Sequence, residues 1–374
     1  MKTQLPHKES VTQEELVLNL GPQHPSTHGV FRMVLDLRGE MIVGVTPHMG
    51  YLHRGFEKLA ERRTAVQYQP YPDRWDYLAA MFDEMAYIGA GEALLGIEAP
   101  KRAQVLRGIV MELNRLASHL LWLGTFLLDV GALSPFLYTF REREMILDLL
   151  MELTGARLTY SYLRFGGMTH DADETWLKKL GAGVPYFRQR LKEYRMLIDD
   201  NAIFRKRVEK IGIISGSTAI RYGLGGPMLR ASGVSWDLRR NRPYGIYRDV
   251  STPVVTQEAG DTWARYVVRM DEMAVSLDLL EIFLDLIPQG PLNAKVPKNI
   301  KFPDQETYFA VEGPRGELGV YLVGDGSVHA KRMKIRPPSL FNLQALSQLL
   351  VGSMVSDAIA ILGSVDIVLG EVDR

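Results

Sequence analysis

The sequence predicts an α+β fold, and three features of its hydrophobic pattern indicate it. Residues 15–46 alternate apolar and polar positions with a period of two, as half-buried strands do. Residues from about 55 to 200 carry long apolar stripes with helical spacing and short connections. A second hairpin pattern surrounds GPRG at 313–316, and helical patterns follow it. We therefore expect a small N-terminal β region, a central helical bundle, and a C-terminal β-hairpin with helices.

The N-terminal region is predicted to consist of strands. ELVLNL at 15–20 leads into a loop that contains two histidines. After that loop, VFRMVLDL and MIVGV flank RGE at 38–40, a short polar stretch typical of a tight hairpin turn.

The central region is predicted to be helical from the segment after Gly55 onward. One helix should begin at Pro72, because proline suits the first turn of a helix. Further helices are expected over three stretches: 100–131, 141–155, and a segment from about Glu174.

The last part of the chain is predicted to begin with an extended connection. Residues 211–255 are rich in Gly, Pro and Arg and show no strong periodicity, and their GLGGP is weak evidence for phosphate binding. A long helix should follow at about 261–287, then the GPRG hairpin, a basic strand within 327–338, and two C-terminal helices. We expect three regions with these boundaries: 1–54, 55–210 and 211–374.

Composition excludes several functions. The 374 residues contain 44 Lys plus Arg and 44 Asp plus Glu, so the charge balance does not indicate nucleic-acid binding. The chain has no cysteine, which excludes protein-held iron–sulfur clusters, thiolate zinc sites, nickel–iron centres and cysteine nucleophiles. Any redox cofactor must be held by another subunit or through other ligands. The polar N-terminus does not resemble a signal peptide, so we expect a cytoplasmic location.

Two apolar stretches have the length of a membrane span, 337–356 and 116–140. The first is interrupted by Pro, Asn, Gln and Ser, and the second contains Asp129 and Pro135. We predict that both form buried helices.

The loop GPQHPSTHGV contains His24 and His28. A spacing of four would place them on one face of a helix, but Pro25 and Gly29 favour a loop. The residues themselves leave three roles open: metal ligands, proton donors, or polar side chains that satisfy a turn. A metalloenzyme, for example a hydrolase, would need a third ligand, and no recognisable spacing supplies one.

A second candidate group lies at the predicted helix start. Asp73, Asp76 and Tyr77 would share a helix face, with Arg74 beside them. Carboxylates at a helix N-terminus are also stabilised by the helix dipole, so a purely structural role is the alternative. Tyr77 could equally be a core aromatic residue.

Asp129 is the only Asp, Glu, Lys or Arg between residues 116 and 140. A buried carboxylate needs a partner or a proton. It either caps its helix end or faces a polar partner, for which His119 and His28 are both candidates.

Five segments resemble the 49-kDa (D) subunit family of respiratory complex I, and the similarity covers the chain from residue 15 to its end. GPQHPSTHG and HRGFEK are highly specific for that family. The segments are LNLGPQHPSTHGVFRMVLDLRGE, GYLHRGFEKLAERRTAVQYQPYPDRWDY, MELNRLASHLLWLGTFLLDVGA, FREREMILDLLMELTGARLTYSYLRFGG and SVDIVLGEVDR.

That family is similar to the large subunits of nickel–iron hydrogenases, so the resemblance implies a hydrogenase-large-subunit-like fold. In hydrogenases two Cys-x-x-Cys pairs hold the metal. Here the stretch that corresponds to the first pair is DRWD, with Asp73 and Asp76 at the thiolate positions. The second pair would fall near the terminal GEVDR. The thiolate ligands are absent from this sequence, which makes hydrogenase activity implausible.

The resemblance implies a binding site for a quinone head group. In the family, the residues that match His28 and Tyr77 hydrogen-bond the two quinone carbonyls, and the acid that matches Asp129 pairs with the histidine. Arg74 matches an arginine close to the terminal iron–sulfur cluster, which a B subunit holds. His24 belongs to the same motif, and we expect it at the quinone site.

The implied activity is H⁺-translocating NADH:quinone oxidoreduction by a complex, with menaquinone or ubiquinone as the acceptor. NAD(H) and the iron–sulfur clusters would be bound by partner subunits, and this chain would bind no metal. The implied partners are subunits B and C, other peripheral-arm subunits and the quinone-channel membrane subunit, on the cytoplasmic side of the inner (cell) membrane. The alternatives are an equivalent subunit of a complex fed by ferredoxin or another donor, and a scaffold subunit without quinone chemistry. The isolated chain should be inactive.

One departure from the family pattern concerns Thr159, where the family often has a histidine near the terminal cluster. A threonine cannot titrate. We therefore expect the potential of that cluster to depend little on pH, which would suit a low-potential quinone such as menaquinone.

Overall fold

The computed structural model describes residues 15–24 and 29–374. His28, and every prediction attached to its side chain, lies outside these residues. Within them the chain is a mixture of helices and antiparallel strands, and the predicted α+β class is confirmed.

The N-terminal strands form as predicted. β1, β4 and β5 make an antiparallel sheet in the order β1–β4–β5, with the hairpin turn at Gly39. The residues of β4 alternate between buried and more exposed, which confirms the period-two pattern. β2 and β3 form a separate ladder of two residue pairs. The strands are β1 (Glu15–Leu20), β2 (Gln23–His24), β3 (Gly29–Val30), β4 (Arg32–Arg38) and β5 (Met41–His48).

The central helices follow the sequence pattern except at one point. Two short helices and a 3₁₀ turn, Pro72–Arg74, precede the long ones, and α4 packs against α5. α5 begins eight residues before the predicted start at 141, so the stretch 116–140 is divided between two helices. The helices are α1 (Phe56–Ala60), α2 (Ala65–Tyr68), α3 (Ala80–Leu95), α4 (Lys101–Asp129) and α5 (Leu133–Thr154).

The predicted helix start at Pro72 is wrong. The 3₁₀ turn ends at Arg74, and the α-helix begins only at Ala80. Tertiary bonds explain the break: the backbone N–H of Asp76 donates to the Asp83 carboxylate at 2.8 Å, and the Asp76 side chain pairs with Arg315. Asp73, Asp76 and Tyr77 therefore do not share a helix face.

The expectation of an extended connection at 211–255 is also wrong, because this stretch contains three short helices and a 3₁₀ turn, Gly245–Arg248. Side-chain caps at Ser215 and Asp237 begin two of the helices. The long helix predicted at 261–287 is confirmed. The elements from 163 to 286 are β6 (Leu163–Arg164), β7 (Gly167–Met168), α6 (Glu174–Ile198), α7 (Ala202–Val208), α8 (Gly216–Arg221), α9 (Gly226–Arg230), α10 (Leu238–Asn241) and α11 (Thr262–Leu286).

The C-terminal hairpin is confirmed, and the basic strand joins it in a three-stranded sheet of order β10–β9–β8. Four helices follow, where the sequence indicated two. The elements are β8 (Glu306–Gly313), β9 (Gly316–Val323), β10 (Arg332–Arg336), α12 (Pro338–Gln344), α13 (Leu346–Leu350), α14 (Val355–Val365) and α15 (Leu369–Asp373).

Two apolar cores hold these elements. The larger lies among α3–α6, α11 and the C-terminal sheet. The smaller joins the inner face of the N-terminal sheet to α13, α14 and α15. α15 packs against the N-terminal sheet in this core, and its Gly370 approaches the turn that carries Tyr77. None of the helices in 15–24 and 29–374 combines the length and the apolar character that a membrane crossing requires.

Candidate functional site

The histidine loop is described at its two ends only. The backbone of His24 pairs with that of Gly29 in the β2–β3 ladder, which brings together the two ends of the segment that contains His28. The side chains of both histidines lie outside the described part of the chain. Gly29 packs closely on α15, because a Cβ placed on it would lie 2.9 Å from Leu369 Cδ1.

Tyr77 packs against the next residue of the same short helix, Gly370. A Cβ placed on Gly370 would lie 2.5 Å from the Trp75 carbonyl oxygen and 3.3 Å from Tyr77 Cε1, so only glycine allows this close approach. Burial, together with the charge of the neighbouring Asp76, raises the pKa of Tyr77 above its usual 10.0. Its hydroxyl therefore keeps its proton at neutral pH. Gly29, the neighbour of His28, and Tyr77 thus contact consecutive residues of α15.

Asp76 belongs to a buried ion-pair chain. Arg315 donates to Asp76 Oδ2 at 2.7 Å, to Asp366 Oδ1 at 3.1 Å and to Ser118 Oγ at 3.1 Å. The Arg315 side chain is fully buried and lies in the turn between β8 and β9. Because a buried charge without a partner is costly, Arg315 stays bonded to these three acceptors and holds them together.

Asp73 adjoins a second buried carboxyl group, that of Glu84. Asp73 Oδ2 accepts the Ser161 N–H at 2.7 Å, and Glu84 Oε2 accepts two backbone N–H groups, from Tyr162 at 2.8 Å and Leu163 at 2.6 Å. Burial raises the pKa of both acids, and their mutual repulsion raises that of Glu84 further. Because two adjacent buried carboxylates repel each other, the pair holds one proton between them at neutral pH.

Glu371, on α15, is a further buried acid, next to the Gly370 that Tyr77 approaches. Its Oε1 accepts the Ser339 N–H at 3.0 Å, and burial followed by the charge of Asp76 raises its pKa to about 8. It is therefore mostly protonated at neutral pH. Sequence reasoning missed Arg315, Glu84 and Glu371, because each lies close to other charged residues in the sequence and nothing local marks it as buried.

Arg74 lies at the surface beside this group. Its side chain is 41% exposed, and the guanidinium lies 3.7 Å from Asp73 Oδ2 and donates to the carbonyl of Pro70. Arg54 donates to the carbonyl of Arg74 at 3.1 Å. A partly exposed cation at this edge is free to face a partner molecule.

Asp129 is the last residue of α4, half-buried beside α14, where its Oδ2 would lie 3.4 Å from a Cβ on Gly363. The negative charge lies at the C-terminal end of the helix, which the dipole disfavours, so helix capping does not explain it. His119, one of its candidate partners, instead contacts Glu272 at 3.1 Å, and burial lowers the pKa of this histidine. The other candidate, His28, lies outside the described residues.

α4 connects Asp129 to the Tyr77 turn. Asn114, in the middle of this helix, accepts the Met81 N–H at 3.1 Å and donates to the Leu78 carbonyl at 3.0 Å. The segment that follows Tyr77 is therefore fixed to the same helix that ends at Asp129.

The core of the molecule contains further buried ion pairs, centred on Arg230 and Arg239. Arg230 donates to Glu272 at 2.6 Å and to Glu312 at 2.7 Å, and Arg239 pairs with Asp237 at 2.8 Å and with Glu112 at 3.2 Å. Among residues 15–24 and 29–374, no group of three His, Asp or Glu side chains is arranged to hold a metal ion.

Similarity to known proteins extends over nearly the whole chain. The family model for the 49 Kd subunit of the respiratory-chain NADH dehydrogenase matches residues 129–302 and 294–374. The D subunit of the NADH-quinone oxidoreductase of Geobacillus kaustophilus is 52% identical over 361 residues, which are 96% of this chain and 98% of the relative. The corresponding protein of Bacillus anthracis is 51% identical over 364 residues, which are 97% of this chain and 100% of the relative.

Proposed function

Because the chain belongs to the family of the 49-kDa subunit of the respiratory-chain NADH dehydrogenase, we propose that it is the quinone-binding subunit of a proton-translocating NADH:quinone oxidoreductase. With a B-type subunit it forms the site where electrons from that subunit's terminal iron–sulfur cluster reduce quinone to quinol. NADH is oxidised in other subunits, and the complex includes the C subunit, the rest of the peripheral arm and the quinone-channel membrane subunit. This chain is peripheral, on the cytoplasmic side of the cell membrane.

The quinone head group is held between His28 and Tyr77, with His24 in the same wall. The observation that carries this assignment is the packing of α15: Gly29, next to His28, contacts Leu369, and Tyr77 contacts Gly370. The two segments therefore converge on one five-residue helix, although 47 residues of sequence lie between positions 29 and 77. Partly exposed Arg74 faces the partner that holds the cluster.

Quinone reduction takes up two electrons and two protons, so two positioned acids are needed. His28 donates one proton to one carbonyl oxygen, and Tyr77 donates the other to the opposite oxygen. The raised pKa of Tyr77 keeps it protonated before reaction, and it also makes rapid reprotonation of the phenolate favourable. Asp129 pairs with His28 and favours its charged, donating form.

Loss of the proton from His28 changes the charge that Asp129 faces. An acid at the C-terminal end of α4 then has a weaker partner in a half-buried position, and α4 or the histidine loop moves in response. This movement is the first event of coupling to proton translocation.

The proposal is tested with Tyr77→Phe and Asp129→Asn in the intact complex in membranes. Tyr77→Phe should lower quinone reduction on the order of a hundredfold, because one proton donor is lost. Electron transfer from NADH to ferricyanide, which bypasses the quinone site, should not change. Asp129→Asn should leave reduction of the terminal cluster intact and weaken quinone turnover or proton pumping. Wild-type quinone reduction and pumping in both variants would contradict the proposal and favour a scaffold role.

A further inference from the structure

The last helix, α15, holds a third segment besides the two described above. This segment is the 49–54 loop, which follows β5 and precedes α1. The Asp373 carboxylate accepts the Gly50 N–H through Oδ1 and the Leu52 N–H through Oδ2, each at 2.7 Å. The Asp373 carbonyl oxygen lies 2.6 Å from His53 Nδ1. One residue thus makes three hydrogen bonds to three of the four loop positions from 50 to 53.

The Asp373 carboxylate is buried, at 7% exposure of the residue, and lies at the C-terminal end of its helix. A negative charge at that end is disfavoured by the helix dipole, so the carboxylate does not serve the helix that carries it. Two charge-assisted bonds from backbone N–H groups are among the stronger hydrogen bonds in proteins. They fix the position of the loop backbone relative to α15.

One side of the loop borders a cleft of about 480 Å³, and Met49, Gly50 and His53 form part of its lining, with Asp373 and Arg374. The next loop residue, Arg54, donates to the Arg74 carbonyl at 3.1 Å, three residues before Tyr77. The loop is therefore hydrogen-bonded at one end to α15 and at the other to the turn that carries Tyr77.

We propose that Asp373 is a positioning residue of the quinone site: by holding the 49–54 loop against α15, it sets the spacing between this loop, the Tyr77 turn and the end of the histidine loop. The inference rests on the proposed function. Asp373 does not touch the reacting atoms. It acts through the backbone of residues 50 and 52, so its loss should change how tightly the quinone head group is held.

The test uses Asp373→Asn and Asp373→Ala in the intact complex in membranes, with decylubiquinone as the acceptor. Asparagine accepts through only one oxygen and places its NH₂ group against the second loop N–H, and alanine removes both acceptors. KM for decylubiquinone should rise about tenfold in both variants, because a hydrogen bond to a charged group is lost. NADH–ferricyanide activity should stay at the wild-type level.

The matched control is Asp357→Asn. Asp357 lies on α14, away from the loop, and its carboxylate pairs with Arg207 at 3.8 Å. Its KM should be that of the wild type. A KM within twofold of wild type in both Asp373 variants would overturn the inference. So would loss of the subunit from the complex in both variants, since Asp373 would then serve folding alone.

Tyr77→Phe, assayed in parallel, separates the two proposals. If Tyr77→Phe keeps wild-type quinone turnover, the proposed function fails and the positioning role of Asp373 falls with it. If Tyr77→Phe loses turnover while KM is unchanged in both Asp373 variants, the inference about Asp373 fails alone.

Discussion

Asp76 and Arg315 form a buried ion pair at 2.7 Å although 239 positions separate them in the sequence. The arginine comes from the β8–β9 turn, and the acid from the segment between the 3₁₀ turn and α3. This pair, with Asp366 as the second acceptor, attaches the Tyr77 turn to the C-terminal sheet. The irregular backbone at 75–79 is a consequence of this attachment.

Arg315→Met should lower the free energy of unfolding of the subunit by about 3–5 kcal/mol, because Asp76 and Asp366 would be left as buried charges without their cation. Urea denaturation of the purified subunit measures the loss. The control is Arg188→Met, which removes a partly exposed cation that pairs with Asp278 at 2.7 Å and with Glu281 at 3.1 Å and should cost less than about 1 kcal/mol. Equal losses in the two variants would show that the buried pair has no special role.

Asp73 and Glu84 should behave as one unit in a double-mutant cycle. In Asp73→Asn or Glu84→Gln alone, the new amide N–H replaces the shared proton, and the carbonyl oxygen still accepts the backbone N–H groups. Each single variant should therefore unfold within about 1 kcal/mol of the wild type at pH 7. The double variant places two NH₂ groups against each other and should lose about 1–3 kcal/mol beyond the sum of the single changes. Additive effects would contradict a shared proton.

Glu371→Gln should change how stability depends on pH. The pKa of Glu371 rises from 4.5 to about 8 on folding, so the folded state binds the proton more tightly than the unfolded state. Its contribution to stability is largest below pH 4.5 and falls as the pH rises towards 8, by up to about 1.4 kcal/mol per pH unit. The glutamine variant should lack this fall. Unfolding free energies at pH 6, 7 and 8 test it, with the exposed Glu258→Gln as control; parallel curves for Glu371→Gln and wild type would contradict it.

Thr159→His should make the potential of the partner-held terminal cluster depend on pH. Thr159 lies two residues from Ser161, whose N–H donates to Asp73 beside Arg74, so the new imidazole would lie at this edge of the chain. The backbone of Thr159 has φ 52°, a conformation that histidine adopts more readily than a β-branched residue. Potentiometric titration at several pH values should show a slope approaching about 59 mV per pH unit in the variant, and little slope in the wild type. A steep slope in the wild type, or in the remote control Thr175→His, would contradict this expectation.

The hydrophobic pattern of the sequence predicted the long helices and the strands, whose formation depends on neighbouring residues in the sequence. The alternation along β4 appears as expected, because burial of one face repeats with the period of the strand. The helix predicted at 100–131 also forms, as α4, but it is buried on nearly all sides. The break before Ala80 could not be predicted in this way, since it depends on Arg315, far away in sequence. The short helices within 211–255 did have signals, the capping residues Ser215 and Asp237, but helices of four to six residues are stable only where the rest of the molecule packs on them.

The candidate site was predictable only in part. Tyr77, Arg74 and Asp129 were singled out by residue type and by family resemblance, and the structure places Tyr77 and Arg74 in one turn beside α15. Glu84 and Glu371 were missed because a charged residue in an apolar segment looks the same in sequence whether its side chain faces solvent or the core. Burial, which decides their protonation, depends on the fold.

The length of α4 has a mechanical consequence. Its 29 residues form a rod of about 43 Å, with Asn114 clamped to the backbone on either side of Ala79 and with Asp129 at its tip. The Tyr77 turn and Asp129 are thus attached to one continuous helix, at points about 22 Å apart along its axis.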